Sequence, residues 1–220
     1  MTTVLEEPPV IDTVADLMER LGGISPARVR FRPPPGTATE RDVLATHDRE
    51  KRLCELIDGV LVEKVMGFNE SFVALTLGRH LGTFVDQHDL GVVVGPDGMM
   101  RMAPGLVRLP DVAFLAWDRF PGREVTYEPL PDLVPDLAVE VLSKGNTKKE
   151  MDRKLREYFV VGVRLVWFVL PEKRLARVYT APGQFTRLGT DQTLDGGAVL
   201  PGFALPLHEL FDRPRRPRGG

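Results

Sequence analysis

The chain is poor in cysteine: Cys54 is the only one among 220 residues. That excludes an intrachain disulfide and a cysteine zinc cluster, and it agrees with a reducing compartment such as the cytoplasm. Histidine is scarce too. His47, His80, His88 and His208 stand far apart, and no H-x-x-x-H or H-E-x-x-H pair occurs, which argues against a zinc hydrolase. No apolar run reaches the roughly 18–20 residues that a membrane span needs. The opening "MTTVLEEPPVIDTV" lacks the basic stretch and apolar core of a secretory signal. A soluble cytoplasmic protein without a membrane partner is expected. There is no Walker lysine, no dinucleotide fingerprint and no G-x-S-x-G elbow, so the glycines of "GVVVGPDGMMRMAPG" read as turns. Net charge is −2, so no bulk positive field advertises nucleic acid. A local basic groove remains compatible with that balance.

What is present is a globular composition, 43% hydrophobic, with no internal repeat. Residues 11–22 have helical spacing and end on Gly22-Gly23. A Pro-rich connector, "RFRPPPGTATE", follows, and 39–51 reads as a second helix with a threonine N-cap. Asp58-Gly59 supplies the positive φ angles of a tight hairpin over 52–65. Residues 69–88 form a long amphipathic helix, with Phe72, Leu75, Leu81, Phe84 and Val85 as its core side. Two strands flank Gly95–Gly98, one strand covers 107–117, and a Pro-rich loop fills 119–135. A strand at 136–142, a helix at 147–161 ended by Gly162 and an apolar strand at 163–171 follow. Together they make a strand–helix–strand unit with a right-handed crossover. A hairpin spans 173–188. Three parts are expected: an N-terminal helix and connector over 1–38, the main domain over 39–212, and a basic disordered tail over 213–220. The class is a mixed-sheet α/β or α+β fold.

Two acids stand out. Asp111 opens the apolar stretch "RLPDVAFLAW", and Glu140 interrupts the apolar strand "DLAVEVL". Strand alternation puts Leu137, Val139 and Val141 on one face and Asp136, Ala138, Glu140 and Leu142 on the other. Glu140 is then either a solvated or salt-bridged strand residue or part of a site. Two carboxylates about 4 Å apart repel by up to ~4 kcal/mol at an effective dielectric of about 20, and a cation between them reverses the sign. The helix that follows is rich in basic residues. Lys154 and Tyr158 lie on one of its faces, at i and i+4. Two acids and a lysine suit phosphodiester hydrolysis with Mg²⁺, which prefers carboxylate and water oxygens. Glu55 and Glu63 on the first hairpin read as solvated strand positions at the edge of such a site. Trp117 and Trp167 read as core or sheet-edge residues.

"LPDVAFL", "DLAVEVLS" and "KKEMDRKLREYFVVGVRLVWFVLPEKRLARVY", with "CELIDGVLVEKV" upstream, closely resemble the Uma2 family across roughly residues 39–205. The resemblance implies a PD-(D/E)XK restriction-endonuclease-like fold: a mixed sheet flanked by helices, with N-terminal additions. It implies a Mg²⁺- or Mn²⁺-dependent endodeoxyribonuclease, homodimeric like many of this fold. Asp111 and Glu140 would bind the metal, and Lys154 would supply the helix-borne lysine. This chain departs from the nuclease pattern at Leu142, where the motif lysine usually stands. Lys144 follows Ser143, where the family often has proline, and is a second candidate for the lysine. Glu70, in place of a frequent histidine near the long helix's start, is either an extra ligand or an ordinary acid favoured by the helix dipole. The competing readings are a non-catalytic nucleic-acid or partner-binding module and a structural domain whose acids pair with Arg or Lys.

Overall fold

The computed structural model describes residues 11–212. The expected basic tail at 213–220 lies outside the described residues. Thr13 caps helix α1 (Val14–Arg20) in a reciprocal box with Asp16, and Thr39 does the same with Asp42 for α2 (Glu40–Glu50). Strands β1 (Cys54–Ile57) and β2 (Val60–Glu63) close through Asp58 (φ 49°) and Gly59 (φ 69°), the left-handed pair a two-residue hairpin turn needs. Helix α3 (Phe68–Gln87) follows, then β3 (Gly91–Val94), β4 (Met100–Ala103), β5 (Leu106–Arg108) and β6 (Val112–Ala116).

The expected single strand over 107–117 is two strands. β5 pairs in a four-stranded antiparallel sheet, order β2-β1-β5-β4, whereas β6 belongs to another sheet. The chain turns the corner at Leu109, Pro110 and Asp111. Proline suits such a corner because it has no N–H to give to a ladder.

After the Pro-rich loop come β7 (Leu137–Val141), α4 (Lys148–Val161), β8 (Leu165–Leu170), β9 (Leu175–Ala181) and β10 (Gln184–Leu188). They complete a six-stranded sheet of order β10-β9-β8-β7-β6-β3, in which only the β7–β8 pair, joined through α4, is parallel. A two-stranded ribbon, β11 (Thr193–Gly196) with β12 (Leu200–Pro206), and a short α5 (Leu207–Phe211) close the fold.

Alternation along β7 sorts the two cores. Leu137, Val139 and Val141 pack with Leu165, Trp167 and Val169 under α3, α5 and β12. Ala138, Val166 and Phe168 pack under α4 through Met151, Leu155 and Tyr158. Glu140 therefore faces α4. The buried side of α3 is Val73, Ala74, Leu77, Leu81 and Val85. The expected core residues Phe72 and Leu75 are instead exposed, because the sheet meets the helix about one residue round from the reading above. Trp167 is fully buried. Trp117 lies just past β6 and donates its indole N–H to Asp89.

The described part of the N-terminal segment docks on the first hairpin. Leu17, Leu21, Ile24 and Val29 pack on Ile57, Val60 and Val62 of the hairpin. At Gly22 (φ 81°) a Cβ would lie 2.5 Å from the Glu150 backbone nitrogen, so only glycine lets this turn press against the start of α4. Thr147, the N-cap of α4, donates its hydroxyl to the Gly22 carbonyl at 2.5 Å.

Candidate active site

The corner at Asp111 brings it to β7. Asp111 donates its N–H to the Val139 carbonyl, and its Oδ2 accepts the Val141 N–H at 2.7 Å. The carboxylate thereby stands in for the strand that β6 no longer supplies. Its other oxygen, Oδ1, lies 2.8 Å from Lys64 Nζ, just past the end of β2, and Lys64 also donates to the Leu109 carbonyl. Asp111 and Glu140 line one cavity with Lys64, Glu70 and Lys154. The cavity is small, about 30 Å³, above the roughly 10–15 Å³ that one water needs.

Glu140 Oε1 accepts the Tyr158 hydroxyl at 2.5 Å and the Lys154 ammonium at 2.8 Å. The same ammonium lies 2.9 Å from Glu55 Oε1. Glu55 is 3% exposed, which corrects its expected solvated position. Its Oε2 lies 2.6 Å from Arg108 Nη1, and Arg108 also binds Glu157. The chain of charges runs outward from there. Arg153 pairs with Glu157 and with Asp58, each at 2.7 Å, and Arg20 of α1 reaches Asp58 at the same distance. Asp111, Glu140, Glu55, Glu157 and Asp58 are thus matched by Lys64, Lys154, Arg108, Arg153 and Arg20. That balance is what makes the burial tolerable, since removing one partner of a buried pair typically costs about 3–5 kcal/mol.

Protonation follows from this layout. Burial pushes the Glu140 carboxyl up; Lys154 pulls it down and Asp111 pushes it further up, and the upward effects win. Burial also acts on Glu55, but Lys154 and Arg108 outweigh it and hold that carboxyl well below its usual range. Burial would lower Lys154, yet Glu140 and Glu55 raise it above the ordinary lysine value. Burial and then Glu140 raise the Tyr158 hydroxyl well above the usual tyrosine value. Lys154 is thus a fixed cation at neutral pH and Tyr158 a fixed hydrogen-bond donor.

Glu70 sits in the first turn of α3 and lines the cavity, with one carboxylate oxygen folded back over Gly67. Lys144 points away, exposed and paired with Glu172 at 3.2 Å. Glu63 is partly buried and paired with Arg52. Sequence reasoning did not single out Lys64, Arg108 or Glu157. Among the described residues, no group of three or more His, Cys, Asp or Glu side chains is arranged to hold a metal ion.

Residues 40–208 match the family described as "Uma2: Putative restriction endonuclease". The chain belongs to the Uma2 family. Its fold is similar to that of "a putative nuclease belonging to DUF820 from Anabaena variabilis", with a TM-score of 0.65 and 16% identity, covering 73% of this chain and 90% of that one. No curated protein matches. The segment carrying α1 and the Pro-rich connector lies before the Uma2 match, and Asp111, Glu140, Glu55, Lys64 and Lys154 lie within it.

Proposed function

We propose that this Uma2 protein is a metal-dependent endonuclease that hydrolyses DNA phosphodiester bonds, with Asp111 and Glu140 holding Mg²⁺ or Mn²⁺ and Lys154 assisting. The observation that carries this reading is one cavity shared by Asp111, Glu140 and a Lys154 ammonium bound to Glu140. The donors suit a hard cation that keeps several waters and takes one or two carboxylates. The Tyr158 and Lys154 contacts both fall on Oε1 of Glu140. The Val141 carbonyl shares the strand edge of its N–H, and so faces the corner where β6 has ended. Glu70 is a further oxygen donor at the rim.

When bound, the ion supplies Lewis acidity toward the phosphate and acidifies water. The chain's own part is electrostatic. Lys154 cannot serve as a general base at neutral pH, since two carboxylates keep it protonated; it stabilises the negative charge that builds on the phosphate oxygens as water's oxygen bonds phosphorus and one bridging P–O bond breaks. Tyr158 holds Glu140 in its rotamer. A homodimeric cytoplasmic enzyme belongs to the same proposal. The exposed apolar side chains Phe68 and Leu75 on α3 and the open edge of β3 support self-association.

The test is cleavage of a panel of DNA substrates with Mg²⁺ or Mn²⁺. Asp111→Asn and Glu140→Gln are expected to abolish cleavage when assayed below their lowered melting temperatures, with the fold retained by circular dichroism, and Lys154→Met to lower cleavage by about 10²–10³-fold. Wild-type rates in either carboxylate variant would reject the assignment. A second reading is a nucleic-acid-binding module that keeps the fold without catalysis. It is favoured by Leu142 at the motif lysine position and by the lysines on both carboxylates. Salt-dependent DNA binding with no metal-dependent cleavage would select it.

A further inference from the structure

Glu55 occupies a position that simple ion pairing does not explain. It is carried by β1, at the heart of the four-stranded sheet, whereas Lys154 and Glu140 belong to the crossover unit of the six-stranded sheet. Its two oxygens together reach both halves of the site. Oε1 takes the Lys154 ammonium at 2.9 Å and the Leu109 N–H at 3.3 Å. Oε2 takes Arg108 at 2.6 Å. Arg108 and Leu109 lead directly into the corner that carries Asp111. One buried carboxylate thus touches both the lysine of the site and the backbone that aims its aspartate.

Lys154 has three N–H donors. With Glu140 as its sole partner, the ammonium would settle wholly on the carboxylate proposed to hold the metal. Shared between Glu55 and Glu140, it is held at a fixed point between them, with its side chain 9% exposed. Arg108 in turn fixes Glu55, itself braced by Glu157. Every member of this arrangement sits on a strand or on α4, which gives it the rigidity that positioning demands.

We propose that Glu55, which lines the same cavity, is the positioning residue of the site: with both oxygens taken by Lys154, Leu109 and Arg108, it aims Lys154 and steadies the Asp111 corner. This rests on the hydrolytic reading above, and the test separates the two. Wild type, Lys154→Met, Glu55→Gln and Glu55→Ala are assayed on the same DNA with Mn²⁺ below their melting temperatures, Mn²⁺ affinity is measured by calorimetry, and the crystal structure of Glu55→Gln is determined. The expected result is a kcat reduced about tenfold or more in Glu55→Gln and further in Glu55→Ala, with KM and Mn²⁺ affinity within about twofold of wild type. Lys154 Nζ should be displaced toward Glu140 in the crystal structure. A Glu55→Gln enzyme with wild-type kcat and an unmoved Lys154, alongside an inactive Lys154→Met, would overturn this inference alone. An active Lys154→Met would overturn the lysine assignment and this inference with it. Should neither Glu55 variant fold, Arg108→Lys, which keeps the charge but loosens the grip on Glu55, is expected to lower kcat at unchanged KM; an unchanged kcat there would contradict the proposal.

Discussion

Lys64 reaches from the end of the first hairpin to Asp111, Nζ to Oδ1 at 2.8 Å, and both side chains are nearly buried. The contact joins the two sheets at the corner where the chain passes between them. It also places a positive charge where the proposed cation would compete for the same carboxylate. Lys64→Met is therefore expected to tighten Mn²⁺ binding by tenfold or more, measured by calorimetry, since like charges a few ångströms apart repel by several kcal/mol at the dielectric of a partly buried site. It is also expected to lower folding stability by about 3–5 kcal/mol, since it leaves the buried Asp111 carboxylate without its cation. Weaker Mn²⁺ binding in a folded variant would contradict this placement of the cation.

At the opposite end of β7, Asp136 is buried and accepts the Ala116 N–H at 3.0 Å and Arg119 Nη2 at 2.8 Å. Burial works to raise its carboxyl, but the Arg119 bonds, the Ala116 N–H and Arg164 outweigh it and hold it below the usual range. A depressed folded-state value means the stabilisation is present above about pH 4, the unfolded value, and is lost as pH falls through the folded value. Asp136→Asn should cost about 2 kcal/mol at pH 7 by urea unfolding. The gap to wild type should shrink below pH 4. A gap that stayed constant with pH would show that the charge is not what matters.

Cys54 sits at the start of β1, fully buried. Burial, with Glu63 adding to it, pushes its thiol up to about 11. The thiolate is the reactive form, so the native protein should resist a thiol reagent at pH 8 and react stoichiometrically in denaturant. Fast labelling of the folded chain would mean that the first hairpin opens.

Leu75 is 74% exposed on α3, near the open edge of β3. If this face joins two copies, Leu75→Asp should shift sedimentation equilibrium from dimer to monomer with the melting temperature of the monomer little changed. A wild-type chain that sediments as a monomer would remove this part of the proposal.

How much of this was legible from residue order depends on the range of each interaction. The crossover helix announces itself locally: Thr147 and Glu150 form the capping box, and Gly162 ends it in a left-handed conformation. Asp58-Gly59 marks its hairpin for the same reason. The strand containing Glu140 and the face shared by Lys154 and Tyr158 follow from simple periodicities. The break at Leu109–Asp111 does not, because an apolar run looks the same whether its halves pair in one sheet or two. Glu55 read as solvated because its partners, Arg108 and Lys154, are far away in sequence, and a lone carboxylate in a short strand gives no sign of them. Lys64 was silent for the same reason. The ribbon and short helix over 193–211 had no assigned elements, since glycines and prolines interrupt their apolar residues, which become meaningful only against α3 and Trp167.

The most direct measurement is anomalous diffraction from a crystal soaked in Mn²⁺. The account predicts a peak between Asp111 and Glu140, within about 2.0–2.3 Å of an oxygen from each, the range of oxygen–divalent cation bonds. A map with no peak there, and with both carboxylates still held by Lys64 and Lys154, would contradict it.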